Sequence, residues 1–182
     1  MLKEKGVRYY ERSSELSGTR RSVRKYLPKQ IADAELNAIL EAGIYAPTAM
    51  GRQSPKIVVL QKPEDVAELE RMNAAVLGNP DSHPFYGAPT VCVVLADAAA
   101  FTAVEDGSLA LGNLMNAAHS LGVASCWIHR AREVFASAEG KALLQQWGVE
   151  GEWIGIGHCI LGYAAEPEKP AAPRLEGRIV RI

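Results

Sequence analysis

The sequence predicts a single globular domain in which helices and β-strands alternate. Its 182 residues fit one domain better than two, and 48% of them are hydrophobic, enough for one sizeable core. Segments with helical periodicity alternate with short apolar runs between residues 33 and 163. With 16 Gly and 10 Pro, both near average usage, the composition argues against disordered and collagen-like chains.

The overall charge offers no field for a polyanionic partner. Twenty Lys and Arg residues stand against 21 Asp and Glu residues, a net charge of −1. We therefore expect neither nucleic-acid binding nor attraction to an anionic membrane surface, and any anion site must be a local cluster.

The cysteines and the hydropathy pattern predict a cytoplasmic protein. Each cysteine lies inside an apolar run and none belongs to a CxxC pair, so neither disulfides nor a zinc site are indicated; they are Cys92, Cys126 and Cys159. The N-terminal segment lacks a signal-peptide core, and no apolar run reaches the ~18–20 residues of a membrane span.

Apolar periodicity predicts four helical regions, at 33–45, 63–77, 105–121 and 132–148. Asp33 is the expected N-cap of the first, Pro63 opens the second, and the fourth is expected to break near Ser137. The helix at 105–121 is rich in Gly and Ala, which favours either a packed central helix or a dimer interface.

Four apolar runs of strand length predict the sheet: KIVVL, TVCVVLAD, VASCWI and GHCILGY. We expect KIVVL to be central and TVCVVLAD to be covered on both faces. A Pro-rich linker at 164–174 follows, and the closing GRIVRI is an extended segment expected to add to the existing sheet.

A basic cluster at residues 20–25 is the first candidate site. In an extended chain Arg20, Ser22 and Arg24 share one face, and guanidinium groups with a hydroxyl suit a phosphate. A solvated basic turn is the more common meaning of such a charge run, and the pattern leaves both interpretations open. Arg174 is a second candidate phosphate ligand.

The loop APTAMGRQSP, residues 46–55, is the second candidate. Its small residues would let backbone amides approach a flat heterocycle, although an ordinary helix-to-strand turn explains the pattern equally well.

Protein-borne catalytic groups are not indicated. Cys126 has His129 and Arg130 close in sequence, but in a strand Cys126 and His129 face opposite sides, which favours a buried apolar cysteine. The histidines lack ligand partners at metal spacing, and the chain contains no GxSxG, P-loop or GxGxxG following a strand.

Four segments in this order resemble the nitroreductase family of FMN-dependent oxidoreductases: TRRSVRKY, AGIYAPTAMGRQSPKIVVL, EDGSLALGNLMNAAHSLGVASCWIHRA and GHCILGYAAEPEKPAAPR. The similarity covers about residues 18–176. It implies a three-layer α/β/α, α+β fold with a mixed, mainly antiparallel sheet. It also implies one domain over residues 1–182 and a homodimer with FMN at the subunit interface. Residues 165–182 would form an arm that packs on the partner subunit.

The family's R-x-S-x-R/K motif matches the basic cluster. The resemblance implies that Arg20 and Ser22 hold the FMN phosphate and that Arg24 reaches the pyrimidine edge, with Arg21 between them. Arg174 matches a late basic residue that closes over the phosphate. Ala172 replaces a lysine common in the family, and Lys169 is a weaker substitute for it.

Two further segments match parts of the family's flavin site. The family's loop, which comes from the second subunit, corresponds to Pro47, Thr48, Ala49, Met50, Gly51, Arg52 and Gln53, with Gly51 in place of the usual Asn. All of these except Arg52 are expected cofactor contacts. The segment passing the flavin's dimethylbenzene and N5 side corresponds to Trp127, Ile128, His129 and Arg130, where larger relatives carry Glu-Gly.

The implied reaction is a ping-pong cycle in which NADH or NADPH gives hydride to flavin N5. An electron-poor acceptor such as a nitroaromatic or a quinone then takes the electrons. The cofactor supplies the redox chemistry, so no catalytic acid/base pair is required. Two alternatives remain at this stage: a flavin-binding or sequestering homodimer without turnover, and an interaction module whose arginines bind a phosphorylated partner.

Overall fold

The protein folds as a four-stranded sheet between two layers of helices. The structure is a computed structural model that describes residues 15–182; the first 14 residues of the expected domain lie outside the described residues. The helices are α1 (Asp33–Ile44), α2 (Pro63–Leu77), α3 (Ala103–Ser120), α4 (Ala131–Ala136) and α5 (Ala138–Gln146). The strands are β1 (Pro55–Leu60), β2 (Thr90–Asp97), β3 (Ala124–Ile128) and β4 (Trp153–Gly162). The predicted three-layer α+β class is confirmed.

The sheet has the strand order β1-β2-β4-β3, and each of these pairs is antiparallel. A parallel bridge between Ser22 and Ser125 adds the chain before α1 to the outer side of β3. The prediction that KIVVL is central was wrong, because β1 lies at one end of this order. A run of apolar side chains indicates that both faces of a strand are covered. It does not indicate whether neighbouring strands pair with both of its edges.

The core divides into one cluster on each face of the sheet. Along β2, Val91, Val93 and Leu95 face α2, α4 and α5, whereas Cys92 and Val94 face α1 and α3. This alternation follows the period of two along a strand. Residues 90–96 are buried throughout, which confirms that TVCVVLAD is covered on both faces.

The helices begin close to where the sequence predicts. Pro63 is the first residue of α2, and Ser137 separates α4 from α5 by accepting a hydrogen bond from the Gly140 amide (3.0 Å). At α1 the N-cap is Ala32 instead of Asp33, and Glu35 accepts a hydrogen bond from the Ala32 amide (2.9 Å). Glu35, the third residue of the helix, thus satisfies the amide of the N-cap residue, and the prediction that Asp33 caps the helix was wrong.

Small residues let α3 lie close to the sheet. A Cβ atom added at Gly107 would come within 2.5 Å of Ile156 on β4, whereas one added at Gly112 would meet nothing within 4 Å. The helix therefore packs closely on the sheet at Gly107, and its Gly112 side remains open in the single chain. No helix in residues 15–182 is long and apolar enough to cross a membrane.

Within the single chain, the C-terminal residues do not extend the sheet, so the predicted addition of GRIVRI to a sheet is not seen inside one subunit. Residues 177–182 have no strand assignment, and Ile179 is 82% exposed. The edge beside the end of β4 is already occupied by residues 22–26, through the Ser22–Ser125 and Tyr26–Ala164 bridges. The tail does not pair with β1 at the other end of the strand order either, so the strand propensity of a short apolar run does not by itself add it to the sheet of its own chain.

A buried asparagine shapes the turn between β3 and α4. Arg130 has a left-handed backbone (φ 78°, ψ 7°), a region that favours glycine. Its Nε donates to Asn73 Oδ1 (3.0 Å), and Asn73 Nδ2 donates to the His129 carbonyl (2.9 Å). Asn73 is fully buried on α2. One side chain therefore holds both residues of the turn.

This geometry predicts that Gly and Ala substitutions have opposite orders of stability at Arg130 and at Arg132. Arg130→Gly should be more stable than Arg130→Ala by about 1 kcal/mol, because both lose the guanidinium and only Ala keeps the left-handed strain. At Arg132, inside α4, Ala should instead be more stable than Gly by up to about 1 kcal/mol. Urea unfolding of the four variants measures both differences, and the same sign at both positions would contradict the assigned backbone.

Candidate cofactor-binding site

The basic segment runs in an extended conformation along β3. The Val23 amide donates to the Ser125 carbonyl (3.0 Å), and Ser22 forms the parallel bridge with Ser125. Val23 is buried, whereas Ser22 and Arg24 on either side of it are exposed. The hydroxyl and the guanidinium therefore lie on the outward side of this segment, as alternation in an extended chain requires.

Two arginine nitrogens in this segment lack partners. Arg21 Nη1 donates to the Arg20 carbonyl (2.7 Å), but Arg20 Nη1 and Arg21 Nε are buried without a hydrogen-bond partner among the described residues. Burying such donors unsatisfied is costly, because they lose water and gain nothing in exchange. Phosphate oxygens would supply the missing acceptors, so these residues fit the phosphate group of FMN.

A cavity beside the segment has an excess of positive charge. Its lining combines four cationic side chains with two carboxylates; the residues are Arg21, Ser22, Val23, Arg24, Lys25, Glu166, Pro167, Glu168, Lys169 and Pro170. Lys25 pairs with Glu166, and Glu168 lies 3.8 Å from His119. The two carboxylates thus have cationic or basic neighbours of their own, which leaves Arg21, Arg24 and Lys169 available to an anion.

The two basic residues of the C-terminal segment, Lys169 and Arg174, lie in different places. Lys169 lines the cavity beside the basic segment, whereas Arg174 lines a separate hollow formed by the tail residues 173–179. In the single chain it is therefore Lys169 that the structure brings to the basic segment. A role for Arg174 at a phosphate stays a prediction.

The cysteines are structural. Cys126 is 2% exposed, and burial raises the pKa of its thiol, although a hydrogen bond with Ser22 and the nearby arginines oppose the rise. Burial also raises the pKa of Cys92 to about 12 and that of Cys159 well above its usual value. A thiol that stays protonated and out of solvent is not a nucleophile, which confirms the interpretation of Cys126 as a buried apolar residue.

The end of β3 presents an exposed aromatic side chain. Trp127 is 47% exposed on a strand whose other residues are buried, and its ring lies 5.5 Å from that of His129, centroid to centroid. A Cβ atom at Gly157 would come within 2.4 Å of the indole nitrogen, so the glycine lets the indole approach the sheet closely. Ile128 faces the core. Within this predicted group, Trp127 and His129 are the side chains most open to a ligand or a second chain.

A buried histidine lies behind this strand end. His158 is fully buried beside the rings of Phe85 and Phe135, and burial lowers its pKa to about 4. Its Nδ1 lies 3.3 Å from the Ile128 carbonyl. It is therefore neutral at physiological pH and supports β3 from the face of the sheet opposite Cys159, as adjacent residues of a strand must.

The loop at 47–53 has a strained backbone. Met50, Gly51 and Gln53 have φ angles of 53°, 66° and 52°, and all three residues are exposed. Left-handed residues other than glycine cluster at binding and catalytic sites, where the surroundings must hold them in place. Such strain is unexpected for an ordinary connection and favours a functional loop.

A buried carboxylate holds this loop, and the sequence argument missed it. Asp106, on α3, accepts hydrogen bonds from the Ala49 amide (3.1 Å) and from the Ser54 hydroxyl (2.6 Å). A signal was present: Asp106 occupies the helix face whose other members, among them Ala110 and Leu114, are apolar and buried. An acidic residue on a core-facing stripe is expected only where it has polar partners.

The basic segment and the loop lie at opposite corners of one chain. Ser22 pairs with β3, which pairs with β4, which pairs with β2, and these pairings align Ser22 with Thr90 at the start of β2. Pro55, where the loop enters β1, pairs instead with Ala96 near the end of β2. Six residues of strand correspond to roughly 20 Å, and the four strand spacings across the sheet add about 19 Å in the other direction. A single chain does not bring the two predicted halves of the site together.

Comparison with known proteins gives relatives of one kind. Two curated archaeal proteins, both named "Putative NADH dehydrogenase/NAD(P)H nitroreductase", are each 30% identical to this chain. The relative from Archaeoglobus fulgidus aligns over 80% of this chain and 81% of its own length. The relative from Methanothermobacter thermautotrophicus aligns over 60% of this chain and only 56% of its own length.

A solved structure and a family model extend this result. The crystal structure of a nitroreductase with bound FMN from Bacteroides fragilis is 33% identical, with a TM-score of 0.82. The match covers 92% of this chain and 96% of that one. The model of the nitroreductase family matches residues 18–163, which include the basic segment, the loop and all four strands. The chain therefore belongs to the nitroreductase family, an assignment that confirms the predicted oxidoreductase class.

Proposed function

We propose that this chain is an FMN-dependent NAD(P)H oxidoreductase that binds the FMN phosphate with its basic segment. The main support is the pair of buried guanidinium nitrogens, at Arg20 and Arg21, that have no hydrogen-bond partner in residues 15–182 and lie beside the exposed Ser22 hydroxyl. The FMN bound in the Bacteroides fragilis relative and the names of the archaeal relatives support the choice of cofactor and donor. Bound FMN would supply the redox chemistry, taking a hydride from NAD(P)H and passing electrons to an electron-poor acceptor.

The residues of the chain bind and orient the cofactor. Arg20 and Ser22 hold the phosphate, with Arg21 and Lys169 adding positive charge at the same cavity. Arg24, exposed on the outward side of the segment, reaches the pyrimidine edge of the flavin and stabilises negative charge there. No protein acid or base is required, which agrees with buried, protonated cysteines and a neutral His158.

A second copy of the chain completes the site in this proposal. The loop at 47–53 lies at the corner of the sheet opposite the basic segment, so in a homodimer the loop of one subunit lines the flavin bound to the other. Exposed apolar side chains surround the loop and cover the outer side of α3; they are Ile44, Tyr45, Met50, Phe101, Val104 and Leu109. Burying such a patch would stabilise a dimer.

The C-terminal arm, residues 165–182, is proposed to pack on the partner subunit. It leaves the fold beside the basic segment, where the Ala165 amide donates to the Lys25 carbonyl (3.0 Å). Beyond that point Leu175, Ile179 and Val180 are exposed in the single chain. An apolar tail without a core of its own gains stability by covering a second surface.

The acceptor is proposed to be a flat, electron-poor compound such as a nitroaromatic or a quinone. Trp127 and His129 offer aromatic surface at the end of β3, on which a planar ring can stack. Donor and acceptor would use the same exposed face in turn, which is the structural basis of a ping-pong cycle.

The phosphate assignment predicts a loss of FMN affinity in Arg20→Ala. The purified wild-type protein should be yellow and release FMN. Arg20→Ala should raise the FMN dissociation constant at least about tenfold, since a charged hydrogen bond contributes about 1.5–3 kcal/mol. Quenching of flavin fluorescence measures the affinity. Arg132→Ala, which removes an exposed arginine from α4, should leave it unchanged. A colourless protein with no FMN affinity would instead favour a module for phosphorylated partners.

Turnover is tested by anaerobic titration of the FMN-loaded protein with NADH and with NADPH. We expect at least one of them to bleach the flavin absorbance, and a nitroaromatic or quinone added afterwards to restore it. Failure of both donors on a fully loaded protein would indicate a flavin-sequestering dimer without turnover.

The shared site predicts that breaking the dimer removes FMN. Leu109→Glu places a charge on the outer side of α3 and should give monomers with FMN affinity at least about tenfold weaker. Val76→Glu is the matched control, because Val76 is also an exposed apolar residue but lies on α2, on the other face of the sheet. Analytical ultracentrifugation and flavin fluorescence report the two effects. A Leu109→Glu monomer that kept wild-type affinity would show that one chain forms the whole site.

A further inference from the structure

We propose that Asp106 is a positioning residue that holds the 48–54 loop in its flavin-lining conformation. Asp106 is 3% exposed on α3, and its two carboxylate oxygens have different partners in the loop. One oxygen accepts from the Ala49 amide (3.1 Å), and the other accepts from the Ser54 hydroxyl (2.6 Å). The effect on FMN rests on the function proposed above, whereas the effect on the loop does not.

The two attachment points bracket the strained residues. Met50, Gly51 and Gln53, all left-handed, lie between Ala49 and Ser54. An unrestrained chain would relax two of them, Met50 and Gln53, because side chains disfavour that backbone region. Three hydrogen bonds within the loop act as local restraints: the Gly51 amide donates to the Thr48 carbonyl (3.0 Å), the Arg52 amide to the Ala49 carbonyl (3.2 Å), and the Gln53 amide to the Thr48 hydroxyl (3.0 Å). Asp106 adds two more and ties the loop to a rigid helix.

Asp106 is suited to this role because it remains ionised. The Ser54 hydroxyl and the Ala49 amide lower the pKa of this carboxyl although burial opposes them. Its position in the first turn of α3 also favours negative charge, since the helix N-terminus carries partial positive charge. An ionised carboxylate accepts hydrogen bonds on both oxygens, which an amide or a hydroxyl does not do as well.

Gly51 makes the backbone of the loop important for any contact with a ligand. It lies in the middle of the loop, is exposed, and has no side chain to reach a ligand. At this position any hydrogen bond to a ligand must come from the backbone. Backbone amides are aimed only by the conformation of the chain, so the carboxylate that holds that conformation acts on the ligand through the loop.

The first test measures the loop itself in the full-length protein, before and after FMN is added. Asp106→Ala should speed hydrogen exchange at the Ala49 amide by at least about tenfold, because its acceptor is gone. It should also speed cleavage by trypsin after the exposed Arg52. Glu105→Ala is the matched control, since it removes a neighbouring exposed carboxylate from the same helix turn and should change neither rate.

The second test measures FMN affinity in the same variants. We expect Asp106→Ala to weaken FMN binding about tenfold and Ser54→Ala to weaken it less, with Glu105→Ala at the wild-type value. Ser54→Ala removes one of the two hydrogen bonds and keeps the carboxylate, so it also serves if Asp106→Ala fails to fold. Asp106→Asn should restore part of the Ala49 protection, because its amide oxygen can still accept that bond.

The outcomes separate this inference from the proposed function. Unchanged exchange and cleavage in a folded Asp106→Ala protein, or in Ser54→Ala if only that variant folds, would overturn the positioning role. A faster-exchanging loop with unchanged FMN affinity would overturn its connection to the flavin. Absence of FMN binding in the wild-type protein would refute the proposed function, while the exchange measurement would still decide whether Asp106 holds the loop.

Discussion

The whole arrangement depends on a sheet whose central strands are buried on both faces. Seven consecutive residues of β2 are inaccessible, and β4 beside it is covered by α3 on one side and α4 on the other. A polar ligand cannot reach the middle of such a sheet without displacing helices. Binding groups can therefore gather only where strands end and where the chain runs along an outer edge, and both candidate segments lie in such places.

Two buried polar side chains on helices hold loops at the ends of strands in place. Asp106 on α3 holds the strained loop before β1, and Asn73 on α2 holds the left-handed turn after β3. Each is buried on its helix, and each forms hydrogen bonds with the backbone of a loop that contains left-handed residues. A loop that must present its backbone in an unfavourable conformation needs such a restraint, because its own preferences would relax it.

The separation of the two segments also gives the proposed dimer a functional meaning. In that proposal, the basic segment at one corner and the strained, exposed loop at the other each supply half of a site. A second chain related by twofold symmetry would bring a loop to each basic segment at once, with the apolar outer side of α3 as the surface between them. Association and cofactor binding would then depend on one another, because each copy contributes half of both sites.

Patterns in the sequence were enough to predict most helices and strands and the family. Periodicity placed α2 and β2 at their observed bounds, alternation placed Ser22 and Arg24 on one side, and the combined motifs identified a nitroreductase. These are local properties, because propensity and periodicity act over a few residues. Only the folded chain shows that β1 lies at an end of the strand order and that Asp106 and Asn73 contact their loops. Those outcomes depend on which distant segments come into contact, and hydrogen bonds between residues more than fifty positions apart leave almost no trace in a single sequence.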